Sequence, residues 1–111
     1  MPISKQSIQR ICALYSILRT STYPYYPTKE QIIEKLNDQL NVKMCASSIE
    51  KDMYRLRSDF GLTIRYHNTI KGYYIPNADE STDKEFVTNL LIYLSLQDIP
   101  IISDVLENLL E

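Results

Sequence analysis

Residues Cys45–Ile75, CASSIEKDMYRLRSDFGLTIRYHNTIKGYYI, change periodicity part-way along, and that change decides the fold. Ile49, Met53, Leu56 and Phe60 recur at spacings of 4, 3 and 4, which is one buried face of a helix. Gly61 then stands where a helix end needs a left-handed residue. Beyond it the period shortens. Leu62–Tyr66 is short, β-branched and alternating, so it reads as a strand, and Lys71–Ile75 reads as its return. His67–Ile70 makes the hairpin loop, Gly72 relieves the backbone near its base, and Pro76 ends the ribbon. Ile64, Tyr73 and Ile75 cover the core, while alternation sends Arg65 to the other face and Lys71 stands by the hairpin tip.

Upstream, Thr28-Lys29-Glu30-Gln31 fits a capping box at the start of a helix whose buried face is Ile32, Ile33, Leu36 and Leu40. Asn41–Met44 makes the turn into the next helix, which begins at Cys45 or at Ser47. Residues 5–20 form an earlier helix with Ile8, Ile11, Cys12, Tyr15 and Leu18 on one stripe and Ser4 or Ser7 as its cap. Between them TSTYPYYP, Thr20–Pro27, cannot be helical, because Pro24 and Pro27 hold the preceding residues extended. Its three tyrosines either pack over the body or touch a partner. Downstream, Asn77–Asp83 reads as a polar, acidic linker. Lys84–Leu96 is a helix with Phe86, Val87, Leu90, Leu91 and Leu94 on a broad apolar face. Pro100 breaks the run, and Ser103 caps a last helix, Asp104–Glu111, that stops with the chain, as expected of a fragment or of an unusually short version of something longer. The expected fold is mainly α with a small β-hairpin. Residues 1–78 form a winged helix-turn-helix, and residues 79–111 are an acidic segment of C-terminal linker or dimerisation helices.

The hydrophobic fraction, 44%, suffices for a small core, and only two glycines argue against a disordered chain. The net charge of -2 conceals an asymmetry. Residues 1–78 carry 11 Lys/Arg against 6 Asp/Glu, and residues 79–111 carry 1 against 8. A body of +5 attracts phosphate whatever the bulk charge of the chain, and the acidic tail implies a different partner. Cys12 and Cys45 lack metal-type spacing, which points to reduced thiols in a cytoplasmic protein, with Cys12 as a small core residue. No signal peptide and no apolar run long enough for a bilayer is present.

The helix over residues 46–60 carries the candidate site. With its apolar residues inward, Ser47, Ser48, Lys51, Tyr54, Arg55 and Ser58 turn outward. Hydroxyl, ammonium and guanidinium groups are what phosphates and base edges accept. Ser47, Ser48, Lys51 and Arg55 are expected at the major groove, with Tyr54 and Arg57 at its edges. Small first-turn residues imply modest base discrimination. On the wing, Arg65 and Lys71 suit phosphate contacts, and His67 is expected as a loop residue near phosphate rather than a metal ligand. The competing reading of the helix is a solvated face with ordinary charge pairs, such as Glu50 with Arg57. Asp52 is expected to pair inside the domain. No nucleophile elbow, phosphate-binding loop or zinc-protease motif is present, so neither an enzyme nor a cofactor is expected.

The run Met44–Ile75 resembles the N-terminal DeoR-like winged helix of WYL-domain transcriptional regulators. Ser48-Ile49-Glu50-Lys51-Asp52-Met53, Leu56-Arg57 and Lys71-Gly72-Tyr73-Tyr74-Ile75 carry the likeness, and Tyr26-Pro27-Thr28-Lys29-Glu30-Gln31-Ile32 resembles the forms of Bacteroides-type bacteria. The resemblance spans residues 5–76, and residues 85–111 are similar to the helices that lead to the sensing domain there. Cys45 stands where that family has a capping serine, and Ser47 where it has an arginine. The resemblance implies double-stranded DNA as partner, a homodimer through residues 84–111, and an effector domain absent from this chain. The alternative is a winged helix used for protein interaction or dimerisation without DNA.

Overall fold

The computed structural model describes residues 5–97, which form four helices and one two-stranded antiparallel hairpin. α1 spans Lys5–Thr20, α2 Lys29–Leu40, α3 Ala46–Ser58, β1 Arg65–His67, β2 Gly72–Tyr74 and α4 Glu80–Gln97. The fold is mainly helical, and the order helix, helix-turn-helix, hairpin is that of a winged helix.

Local chemistry sets each boundary. Thr28 caps α2 with both halves of the capping box, its hydroxyl accepting from Gln31 N at 3.2 Å and its own N–H donating to Gln31 Oε1 at 2.9 Å. Asn41 ends that helix in the left-handed conformation, φ 52°, and turns the chain toward α3. Asn37 steadies the turn by accepting from Met44 N at 2.9 Å. α3 begins after Cys45, not at Ser47, because the backbone at Cys45 is already extended and its carbonyl accepts from Ile49 N. At its far end Gly61, φ 66°, lets Leu62 N return to Leu56 O at 3.0 Å. Ser7 lies inside α1 rather than capping it.

The hairpin is shorter and later than its alternation implies. Its register pairs Arg65 with Tyr74, Tyr66 with Tyr73 and His67 with Gly72. Extending it back to Leu62 would require partners at Pro76, which has no N–H, and at Asn77, whose φ is 55°. His67 therefore belongs to β1, not to the loop. Gly72 answers a packing demand: a Cβ there would lie 2.6 Å from the Tyr26 carbonyl carbon. Tyr73 N donates to Pro27 O at 2.9 Å, so the segment before α2 lies against β2.

Ile8, Ile11, Leu14 and Leu18 of α1, Ile32 and Leu36 of α2, and Ile49, Met53, Leu56 and Phe60 meet in one core closed by Leu62, Ile64 and Ile75. Each such side chain contributes about 1.5–3 kcal/mol on burial. Cys12 is only half-buried at its edge. α4 begins at Glu80 rather than after a linker reaching Asp83. Asp79 Oδ1 accepts from Thr82 N at 3.1 Å and Thr82 Oγ1 accepts from Asp79 N at 3.2 Å, a reciprocal cap. Phe86, Leu90 and Leu94 then pack into the same core, with Phe86 stacked on Tyr15 at 4.0 Å and Tyr93 tilted on Phe60 at 5.3 Å. The last expected helix, Asp104–Glu111, lies outside the described residues.

Candidate nucleic-acid interface

The core-facing residues of α3 fix which side of it meets solvent. Ser47, Lys51, Tyr54 and Ser58 form the exposed stripe, with Ser48 and Arg55 half-buried along its flank. Tyr54 is the most prominent of them, 68% exposed. The structure thus brings together on one face all six outward residues of the sequence reading, with Tyr54 at its middle.

The acidic residues in α3 and at its C-cap are handled in three different ways. Asp52 is fully buried and is bound by Arg10 of α1, whose Nε lies 3.0 Å from Oδ2 and whose Nη2 lies 3.4 Å from Oδ1. Glu50 is held by Lys29, Nζ to Oε1 2.6 Å, rather than by Arg57. The carboxylate raises the pKa of Lys29 further and keeps it charged. Asp59 stays exposed, near the C-terminal end of the helix. Two of the three carboxylates that could repel phosphate are therefore neutralised by cations of the neighbouring helices. Lys29 had no place among the sequence candidates; its position directly after the Thr28 cap was the signal, since the first turn of α2 abuts α3.

Arg57 does not stand free beside the exposed stripe. Its Nη2 donates to Ile64 O at 3.1 Å and braces α3 against the chain entering β1. Cys45 lies at the start of α3 with its Sγ 3.0 Å from Ser47 Oγ and 3.5 Å from Ser48 Oγ. Those hydroxyls, Ser47 first, lower its thiol pKa to about 6.

On the hairpin, Arg65 and Lys71 are exposed. Lys71 has φ 62°, which aligns the turn so that its N–H donates to His67 O at 2.7 Å. A concavity of about 360 Å³ between the start of α2 and the ribbon is lined by Thr28, Lys29, Glu30, Tyr66, Lys71 and Tyr73. His67 is half-buried: its Nδ1 accepts from Ile70 N at 3.1 Å, and its ring sits 6.0 Å from that of Tyr23 and 6.1 Å from that of Tyr26. That hydrogen bond closes the hairpin turn and occupies Nδ1. Tyr26 in turn stacks on Tyr74 at 4.4 Å. Of the TYPYYP tyrosines, Tyr26 packs against the hairpin, while Tyr25 is 81% exposed.

Among the described residues no group of three or more His, Cys, Asp or Glu is placed to hold a metal ion, and no helix is long and apolar enough to cross a membrane. No protein-family model matches the chain, and neither a curated protein nor a solved structure matches it.

Proposed function

We propose that this chain is the double-stranded-DNA-binding domain of a bacterial transcriptional regulator of the WYL type, acting in the cytoplasm. α3 enters the major groove, and the ribbon, residues 62–75, lies on the phosphate backbone. The observation that supports this reading best is the treatment of charge on α3. Glu50 is paired to Lys29 and Asp52 is buried against Arg10, while Lys51 on the exposed stripe and Arg55 on its flank have no ion-pair partner among the described residues. Ser47 and Ser48, small and at the positive end of the helix dipole, allow close approach of phosphate or base edges. Arg65 and Lys71 add two cations on the ribbon.

Fluorescence anisotropy of the chain against a random duplex pool tests the proposal. Affinity is expected to fall linearly with log salt as counterions are released. The Lys51→Ala, Arg55→Ala double variant is expected to lose most of the affinity and to lower that slope by about 2 while remaining folded. Binding unchanged in that variant would remove α3 from the interface. A second reading, a protein-interaction or dimerisation module, draws on Ile92 of α4, which is 55% exposed. Phe86, Leu90 and Leu94 are occupied within the chain, so a homodimer through residues 84–111 would rest on the remaining apolar positions. Such association persists at high salt, where DNA binding is lost.

A further inference from the structure

We infer that Tyr54 reads the C5-methyl group of thymine in the major groove, an assignment that rests on the DNA-binding role of α3 proposed above. Seven of the nine tyrosines pack against another ring, which accounts for their presence. Tyr54 has no ring or hydrogen-bond partner among the described residues and projects from the middle of the exposed stripe at 68% exposure. A large aromatic ring left in water between Lys51 and Arg55 is the composition of a contact centre rather than of a solvated helix face.

The rest of α3 narrows what the ring can recognise. ASSIEKDMYRLRS contains no Asn or Gln, so no side chain of this helix can pair bidentately with adenine. Lys51 and Arg55 are suited to guanine N7 and O6 or to phosphate. Glu50, the residue able to accept from the cytosine amine, is held by Lys29. At an A·T pair the hydroxyls and cations of this face can form only single hydrogen bonds, to adenine N7 or thymine O4, whereas the thymine methyl group is what an apolar surface reads, and the Tyr54 ring is the largest apolar surface on the stripe. Ser47 and Ser58, one on each side of the Lys51–Tyr54 pair along the stripe, are small enough to let the ring approach the groove floor.

The test begins with selection of an enriched sequence from a randomised duplex pool by the full chain. Each thymidine in that sequence is then replaced singly by deoxyuridine, which removes only the methyl group. One replacement is expected to weaken binding by about fourfold, the factor that burial of a single methyl group implies. Tyr54→Phe should keep this sensitivity. Tyr54→Ala should bind in a salt-sensitive manner, with an unchanged circular dichroism spectrum, and be indifferent to the replacement. Sensitivity retained in Tyr54→Ala, sensitivity at no position, or salt-sensitive binding without an enriched sequence would each overturn the assignment and leave the DNA-binding reading standing. Absence of salt-sensitive binding by the unaltered chain would overturn both.

Discussion

At the start of α3, one exposed cysteine is placed among hydroxyls, and the other cysteine of the chain is not. Ser47 and then Ser48 stabilise the Cys45 thiolate and lower its pKa to about 6, whereas burial pushes Cys12 up to about 11. Iodoacetamide is therefore expected to label Cys45 at neutral pH with a half-maximal rate near pH 6 and to leave Cys12 unmodified, as read by peptide mass mapping. The linkage has a definite sign. The folded-state pKa lies below the free value of 9.0, so the stabilisation is complete above about pH 9 and is lost as pH falls through about 6. The Arg10–Asp52 pair shows the opposite environment. Asp52 is fully buried, and Arg10 keeps 22% side-chain exposure. Arg10→Ala should lower the free energy of unfolding by about 3 kcal/mol, because it strands a buried carboxylate. The Arg10→Met, Asp52→Leu double variant should lose less than Arg10→Ala in urea denaturation. A larger loss in the double variant would mean that the pair itself stabilises the fold.

Among the elements, the hairpin depends most on a single residue. Gly61 and Gly72 both flank turns, yet they serve different needs. Gly61 has φ 66° and open space around it, so Gly61→Ala is expected to lower stability by about 1 kcal/mol through backbone strain alone. Gly72→Ala must displace the Tyr26 backbone and with it the Pro27–Tyr73 hydrogen bond, a loss of roughly 3 kcal/mol. Thermal melts should rank Gly72→Ala well below Gly61→Ala; the reverse order would show that the approach of Tyr26 relaxes easily. The same junction explains why His67 and Tyr26 are not available as mobile contacts: the segment before α2, the hairpin turn and Tyr74 form one aromatic assembly.

For the molecule as a whole, α4 completes the core. Phe86 lies between Tyr15 and Phe60, Asn89 Nδ2 donates to Phe60 O at 3.0 Å, and Asp83 accepts from Tyr15 Oη at 2.5 Å and Arg19 Nε at 2.9 Å. Burial first, and then Asp83, raise the Tyr15 pKa well above its ordinary value, so this hydroxyl stays protonated and donating across the neutral range. Phe86→Ala should lower stability by about 3–5 kcal/mol. Truncation after Ala78 should abolish cooperative unfolding in a chemical melt. A cooperative transition in the truncated chain would show that residues 5–78 fold without α4. Since Asn89 and Tyr93 both meet Phe60 at the end of α3, the placement of α4 is tied directly to the placement of that helix.

The sequence alone determined that α1, α2, α3 and α4 are helices, how α2 is capped and where α3 ends. Thr28 with Gln31, Gly61, and the 4, 3, 4 spacing of Ile49, Met53, Leu56 and Phe60 act through contacts a few residues apart, and such signals survive without a partner in space. It also determined that Lys51, Tyr54 and Arg55 share a face, since helical period fixes this once the apolar side is known. The tertiary structure decided the rest, because the causes lie far along the chain. Lys29 reaches Glu50 across 21 residues and Arg10 reaches Asp52 across 42, which sets the charge that α3 presents. The hairpin begins only where β2 offers partners. The apolar face of α4 looked equally ready for a second chain, and only the position of Tyr15 and Phe60 shows that Phe86, Leu90 and Leu94 are used within this one. Periodicity shows which residues must be buried, and only packing shows against what.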